Sequence, residues 1–513
     1  MSPRKRSKLV IVGGGIAGLC SAVYASLCGY EVTILEMHSS TGGLATSWRR
    51  GDYTFETCLH WLWGSNPTRP MYARWREVFD IDELKFIHPA EFVRLQSERG
   101  GTLSIYTDLS QLQGELLHKA PEDAAEIRRF IAAIRQFARF DLPDFTAGLG
   151  TRVRQHLAAL PHLAALQRWS QESCVRYGSR FKHPLLRAFF SDSAAAQLSV
   201  LGLVFSLAWM SDGDAAYAVG GARAIVRLLE RRLRELGARL RLDARVRRIL
   251  VRDGAPVGVE LASGEWIEAD WVISAADGHA TLFDLLESRY LDQALRKRYE
   301  TALTFPSYVQ VSLGVRRDLS SHPGYVTRVL DAPLSVDPQT ALRQLSTRIF
   351  HYDPSFAPAG KTAVTTLLPT YAYEYWVDLQ RERPQFYQAE KNRLADAVVA
   401  VLERTVPGLA AAVETVDVST PATVIRYTGN WRGSMEGWLV TPGMRYKPLP
   451  QTLPGLDRFV MVGQWVMPGG GLPAGLLTAR AGVQSICQRD GTSFRRRPAP
   501  RSAYVLSRID RSP

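Results

Sequence analysis

Leu9-Val10-Ile11-Val12-Gly13-Gly14-Gly15-Ile16-Ala17-Gly18 is an apolar run leading straight into a G-x-G-x-x-G turn. An alanine-rich helix follows (Ala22, Ala25), then Gly29, then a second apolar run, Glu31-Val32-Thr33-Ile34-Leu35, ending on Glu36. Strand, glycine turn, helix, strand and terminal acid, with the acid 18 residues beyond Gly18, make the βαβ fingerprint of a dinucleotide site. Gly13 allows the tight turn, Gly15 lets the backbone approach a pyrophosphate, and Gly18 lets the helix pack on the strand. Ile16 and Ala17 open the helix, whose unpaired N–H groups and positive dipole end face the phosphates. Glu36, with Met37 after it, is expected at a ribose.

Six residues past Glu36 stands a second doublet, Gly42-Gly43, followed by Leu44. Taken alone the doublet reads equally well as an ordinary loop. So soon after the acidic strand end it matches flavoproteins that bury extended FAD, and NAD dehydrogenases generally lack it. FAD is therefore the expected cofactor, and Gly42, Gly43 and Leu44 are expected to touch it.

At 513 residues the chain can hold two or three domains and a buried cofactor with a long apolar cavity. Lys and Arg number 63 against 50 Asp and Glu, a net charge of +13. Such a surface suits nucleic acid, anionic lipid or plain solubility. Without a helix-turn-helix, zinc-finger or RNA-binding signature, nucleic acid is excluded as a partner, and a peripheral contact with an anionic membrane stays open. The five cysteines form no C-x-x-C, which favours a reducing compartment, and the ten histidines include no pair at metal-ligand spacing, so no metal is expected. The expected location is cytoplasmic, with peripheral contact on the inner face of the membrane. The apolar stretch 194–210 is 17 residues long and contains Gln197, Ser199 and Ser206. It is short for a membrane span and reads either as a core helix or as a monotopic, cavity-lining segment.

Further along, residues 51–56 alternate like a strand, and Thr57-Cys58-Leu59-His60-Trp61-Leu62-Trp63-Gly64 follows directly. Residues 92–97 and 103–106 flank Glu98-Arg99-Gly100-Gly101 as a hairpin. Pro121-Glu122-Asp123 opens a helix with Ile127, Phe130, Ile131, Ile134 and Phe137 on one face, and 151–210 is mostly helical. After Gly220-Gly221 come a helix over 222–236 and strands near 240–242, 246–251, 257–261 and 271–273. Tyr371-x-Tyr373-x-Tyr375-Trp376 has aromatics two apart, as on one face of a strand. A short strand at 459–463 precedes Gly469-Gly470-Gly471-Leu472-Pro473 and a helix over 474–486. The expected class is α/β. A discontinuous FAD-binding Rossmann-like domain (1–70, 212–290, 441–494) is interleaved with a mixed-sheet and helical substrate domain (71–211, 291–440), and 495–513 forms an Arg/Ser/Pro-rich disordered tail.

Together these pieces resemble the phytoene desaturase-like branch of the flavin-containing amine oxidase superfamily, which includes carotenoid desaturases, carotenoid isomerases and retinol saturase-like proteins. The resemblance spans nearly the whole chain. It is most specific from the N-terminal glycine turn through Gly43, at Tyr217 to Gly221, at Val272 to Asp277, and at Gly463 to Pro473 with Asp490-Gly491-x-x-Phe494. It implies that Val246 contacts adenine through its backbone and that Gly463 lies near the ribityl phosphate. It also implies that Gly470, Gly471 and Leu472 present N–H groups to the flavin pyrimidine edge, where a helix N-terminus stabilises reduced, anionic flavin. Two positions depart from the pattern. Leu44 stands where an Arg is usual, and Glu56-Thr57-Cys58-Leu59-His60-Trp61 replaces a common Asp-x-Gly-Pro, which separates this chain from desaturases of phytoene itself.

The chain carries no second G-x-G-x-x-G for a nicotinamide reductant, so a flavin here exchanges electrons with oxygen, with a quinone or with its substrate alone. The resemblance implies a hydrophobic unsaturated substrate, reached through an apolar tunnel from the membrane, and desaturation, saturation or isomerisation of its C–C and C=C bonds. His60 and Glu56 are the candidate proton-transfer residues. The alternative for His60 is a structural hydrogen bond. Tyr373, Trp376, Trp431 and Trp438 are candidates for the cavity wall, with core packing the competing reading. Two other functions fit the fold: a flavin amine oxidase, disfavoured by the lack of lysine in the flavin-edge segments, and a prenyl-lipid escort without catalysis, disfavoured by the intact glycine turn and Glu36.

Overall fold

Lys8–Val12 runs down the middle of a five-stranded parallel sheet, between Glu31–Leu35 on one side and Trp271–Ser274 on the other. Arg239–Arg241 and Phe459–Met461 form its edges. A central strand covered on both faces has no polar side to show, which is why its sequence is an unbroken apolar run rather than an alternation. The computed structural model describes residues 6–57, 59–191, 196–444, 448–496 and 498–499. Cys58 and residues 500–513, most of the tail expected to be disordered, lie outside the described residues.

The helix Ile16–Leu27 leaves the first strand through Gly13, whose φ is +101°. A Cβ on Gly18 would stand 1.9 Å from the carbonyl oxygen of Gly13, so only glycine lets this helix close on its own turn. The helix packs against Gly221–Glu235 and the C-terminal helix Gly471–Arg489. Strands from three distant parts of the sequence thus meet beside one glycine turn. Their carboxyl ends lie at the switch point where the first strand's neighbours run off in opposite directions, the place where such sheets bind ligands.

A seven-stranded mixed sheet supplies the second body of structure, in the order Val413–Ser419, Ser307–Val315, Thr362–Thr370, Thr340–Ile349, Tyr325–Asp337, Glu91–Ser97, Thr102–Tyr106. Its pairs are antiparallel except Tyr325–Asp337 with Glu91–Ser97. The hairpin read at 92–106 is present, with the two glycines in its turn. Helices cover its end. Ala124–Ala138 buries Ile127, Phe130, Ile131, Ile134 and Phe137, the face read from their spacing, against Val200–Ser211 and the hairpin. Val200–Ser211 resolves the two readings of the 194–210 stretch. Val204, Leu207 and Ala208 go to the core, while Leu201, Leu203 and Ser206 line a cavity. No helix among the described residues is long and apolar enough to cross a membrane.

One expectation is corrected. Tyr373–Glu382 is a helix, not a strand. Only Trp376 of its residues is buried, while Tyr371, just before the helix, is half exposed. The spacing of two was therefore no alternation of faces. A single anchor against Tyr387 of the next helix carries the packing.

Candidate active site

A cavity of about 1670 Å³ starts at the glycine turn and runs between the mixed sheet and the helices. That exceeds the volume of an ordinary small-molecule pocket and leaves room for a dinucleotide and a long second molecule. The first end is made of backbone. Gly13, Gly15, Ile16, Ala17, Met37, Gly42, Gly43 and Leu44 line it, with Val246 and Gly463 nearby. Gly42 donates its N–H to the carbonyl of Gly14 at 2.9 Å, so the second glycine doublet is folded directly onto the first. Gly18 is not in the wall, because its task is packing.

Glu36 is buried at the end of its strand, accepting from the N–H of Gly14 at 2.7 Å and of His38 at 2.8 Å. These bonds fix the carboxylate where a ribose hydroxyl would donate to its remaining lone pairs. At the other side the helix Gly471–Arg489 begins with no side-chain cap and no acid in its first turn, and Gly470, Gly471 and Leu472 line the cavity. Its free N–H groups and positive end face inward. A glycine-floored phosphate cradle, a fixed carboxylate and a second helix N-terminus across the cavity fit FAD, whose pyrophosphate and adenosine would lie on the first two and whose flavin ring would lie at the last.

Beyond these the wall is apolar and aromatic. Trp63 stacks on Trp209 (centroids 4.6 Å, planes 13° apart), Trp209 on Phe205 (5.5 Å, 9°) and Phe205 on Phe140 (6.1 Å, 16°), and all four line the cavity. The sequence reading missed this ladder, because its members come from three separate segments. The four aromatics it named instead lie elsewhere. Trp376 and Trp438 are fully buried in cores, and Tyr373 and Trp431 border a smaller side pocket with Asp277 and His279.

His60 faces the cavity beside Trp61, and its imidazole makes no hydrogen bond to the described residues. Burial, then the charge of Arg348, holds it well below the ordinary imidazole range, so it is neutral at pH 7. Glu56 does not line this cavity. Its oxygens accept from the N–H groups of Leu59 (2.8 Å) and Ala222 (3.0 Å), at the start of Gly221–Glu235. A Cβ at Gly221 would strike its carboxylate at 1.7 Å. Burial outweighs those N–H bonds and pushes its carboxyl up to about 8. Glu56 shares with His60 only a small second hollow, bordered by Arg348 and Tyr325. Its geometry is that of a residue that ties the His60 loop to a helix start.

Asp277, read only as the end of a family-like stretch, and Asp284 and Glu436, not singled out in the sequence, also line the large cavity. Asp277 accepts from Ala280 (2.9 Å) and Trp431 (2.8 Å) N–H groups, and burial pushes it up to about 7. Glu436 makes no hydrogen bond or ion pair to the described residues, and burial pushes it up to about 7 as well. The available signal for Glu436 was a lone acid between Gly433-Ser434 and Gly437, with Trp438-Leu439-Val440 beyond. No group of His, Cys, Asp and Glu that could hold a metal occurs among the described residues.

Such a fold and cavity define a flavin-dependent oxidoreductase. Residues 16–487 match the family described as flavin containing amine oxidoreductase, and the chain belongs to it. Phytoene desaturase (lycopene-forming) from Pseudescherichia vulneris is 26% identical over 501 residues, covering 92% of this chain and 98% of the relative. Prolycopene isomerase 2, chloroplastic, from an Oncidium hybrid cultivar is 23% identical over 497 residues, covering 91% and 81%. Among solved structures, cyclohexylamine oxidase from Brevibacterium oxydans aligns with a TM-score of 0.60 at 12% identity, covering 95% of this chain and 100% of that one. An oxidoreductase from Methanosarcina mazei aligns at 0.59 and 16%, covering 93% and 100%. The protein is an FAD-dependent oxidoreductase of the carotenoid desaturase and isomerase branch.

Proposed function

We propose that the protein acts on C–C or C=C bonds of a hydrophobic isoprenoid or polyene, of carotenoid or retinoid type, by desaturation, saturation or isomerisation. The observation that carries this reading is the aromatic ladder Trp63–Trp209–Phe205–Phe140 along the cavity wall. A row of rings along the wall offers a flat conjugated chain apolar contact over its length and offers a charged amine no counter-charge. The names of the relatives, phytoene desaturase and prolycopene isomerase, support it.

Bound FAD supplies two-electron chemistry, as hydride acceptor or donor. The chain's own residues do the rest. The glycine turn and Glu36 hold the adenosine and phosphates, the start of Gly471–Arg489 holds the flavin edge, and the apolar walls exclude water. His60, neutral and facing the cavity, is available to accept or donate a proton near the substrate, and Glu56 fixes the loop that carries it.

The substrate's way in is the mouth at residues 149–163. Leu149, Val153, Leu157, Leu160 and Leu163 are all more than half exposed; the first three share one face of the helix Leu149–Ala159, and the other two follow in a short turn and at the start of the next helix. Leu160 and Leu163 also line the cavity, and Arg152, Arg154 and Arg168 stand exposed around them. An apolar stripe edged with arginine suits an anionic membrane surface that stores the substrate.

Anaerobic mixing of the FAD-loaded protein with phytoene, prolycopene and retinol in micelles tests the reading. Bleaching of oxidised flavin by one of them identifies desaturation. Conversion by photoreduced protein alone identifies saturation or isomerisation. Inertness of both redox forms towards all three overturns it.

A further inference from the structure

Glu436 lies in the bend 435–437, beside the start of the C-terminal helix. A Cβ at Gly470 would stand 2.2 Å from the carbonyl oxygen of Glu436 and 2.7 Å from its Cβ, so the two segments touch because position 470 is glycine. The Oε1 atom of Glu436 lies 3.8 Å from where a Cβ on Gly471 would be, which carries the carboxyl over the first turn of that helix. Gly437 is held against Phe305 by a hydrogen bond of 2.8 Å, and Gly469 against Trp438 by one of 3.0 Å. This frame holds the Glu436 backbone beside the helix start. Segments 303–306 and 463–472, packed against it, contain no titratable side chain. Burial therefore acts on it unopposed by any nearby charged side chain. Only the helix's positive end favours its ionised form.

Its carboxyl is half-buried in the cavity wall and has no hydrogen-bond or ion-pair partner among the described residues, a costly arrangement for a charged group. It stands where the flavin edge is bound. We propose that Glu436 exchanges the proton with substrate carbon in this reaction, an inference that rests on FAD and a polyene sharing the cavity. In the oxidising direction one substrate carbon loses hydrogen with its bonding pair, as hydride to oxidised FAD. The neighbouring carbon loses its hydrogen as a proton, which forms an O–H bond on the Glu436 carboxylate. The pair left by that C–H bond becomes the new π bond, so the substrate is oxidised by two electrons and FAD is reduced by two. Saturation is the same step reversed, with the Glu436 acid giving its proton. A side chain that titrates near neutral pH serves both directions.

The test compares FAD-loaded wild type, Glu436→Gln and Glu436→Asp. The visible flavin spectrum of the wild type is expected to shift in a protonation step near pH 7 that Asp277→Asn, lacking the other cavity acid raised to about 7, keeps. Glu436→Gln is expected to lose that step, whereas Glu56→Gln, altered away from the large cavity, is expected to keep it. In single turnover with the polyene that the wild type uses, Glu436→Gln is expected to slow the chemical step about 100-fold with KM little changed and the pH limb gone. Glu436→Asp is expected to restore part of the rate. A step that persists in Glu436→Gln, or turnover at the wild-type rate, overturns the proposal. Wild type that takes up no FAD, or is inert to phytoene, prolycopene and retinol, removes instead the reading beneath it, before any variant is compared.

Discussion

The two ends of the cavity are made of opposite materials. The nucleotide end is backbone: glycines, two helix starts and one fixed carboxylate, Glu36. The substrate end is side chain: a ladder of large rings and the apolar face of Val200–Ser211. Backbone recognition tolerates little change of residue, because a Cβ at Gly13, Gly18 or Gly42 would meet neighbouring backbone at 3.0, 1.9 or 2.5 Å. A side-chain wall tolerates exchange of one apolar group for another but not the arrival of a charge.

This difference is testable, and the largest effect belongs to the backbone end. Gly18→Val puts branched carbon where the Gly13 carbonyl already sits, and is expected to abolish bound flavin, read as flavin absorbance per chain after purification. Trp209→Arg places a cation in the middle of the ladder. It is expected to leave flavin content near the wild-type level and to remove polyene binding, followed by the polyene's absorption shift. A loss of flavin in Trp209→Arg would break the division between the ends. Glu36→Gln keeps the size of the side chain but not its charge, and is expected to weaken FAD about 10- to 100-fold by fluorescence titration.

A smaller effect is expected at the mouth. Val153→Glu with Leu157→Glu should lower binding to vesicles of mixed anionic and zwitterionic lipid in a co-sedimentation assay, while flavin content stays the same. The smallest concerns pH. Glu56 is raised to about 8 and Asp277 and Asp214 to about 7, mainly by burial. The folded protein thus holds these protons more tightly than the unfolded chain. Their stabilising contribution is complete below the ordinary carboxyl range and is lost as pH rises through 7 to 8. Melting temperature is expected to fall between about pH 4 and 8 and to level off above that, and to fall less in Glu56→Gln.

The same contrast explains what the sequence disclosed. The nucleotide end was legible because its constraints are local. The glycine turn, Glu36 and Gly42-Gly43 lie within a few dozen residues, and each marks a place where backbone must approach backbone. The C-terminal helix was read from Ala474, three residues after its start at Gly471, and a role for that start came only from the family resemblance. The substrate end was not legible, because Phe140, Phe205 and Trp209 meet Trp63 only through tertiary packing, and each alone looks like any core aromatic. Glu56 and His60 are four residues apart, yet one is turned into a helix start and the other into the cavity. Glu436 gained its meaning from burial, which no spacing encodes. Tyr371 to Trp376 shows the reverse hazard, a regular spacing with only one buried member.

Titrating prolycopene into the FAD-loaded protein, and following the polyene and flavin absorption bands together, tests the shared cavity most directly. One polyene per chain is expected, with both spectra shifting at the same ratio and no flavin released. Polyene that binds without disturbing the flavin band, or that displaces FAD as it binds, would contradict a single cavity holding both.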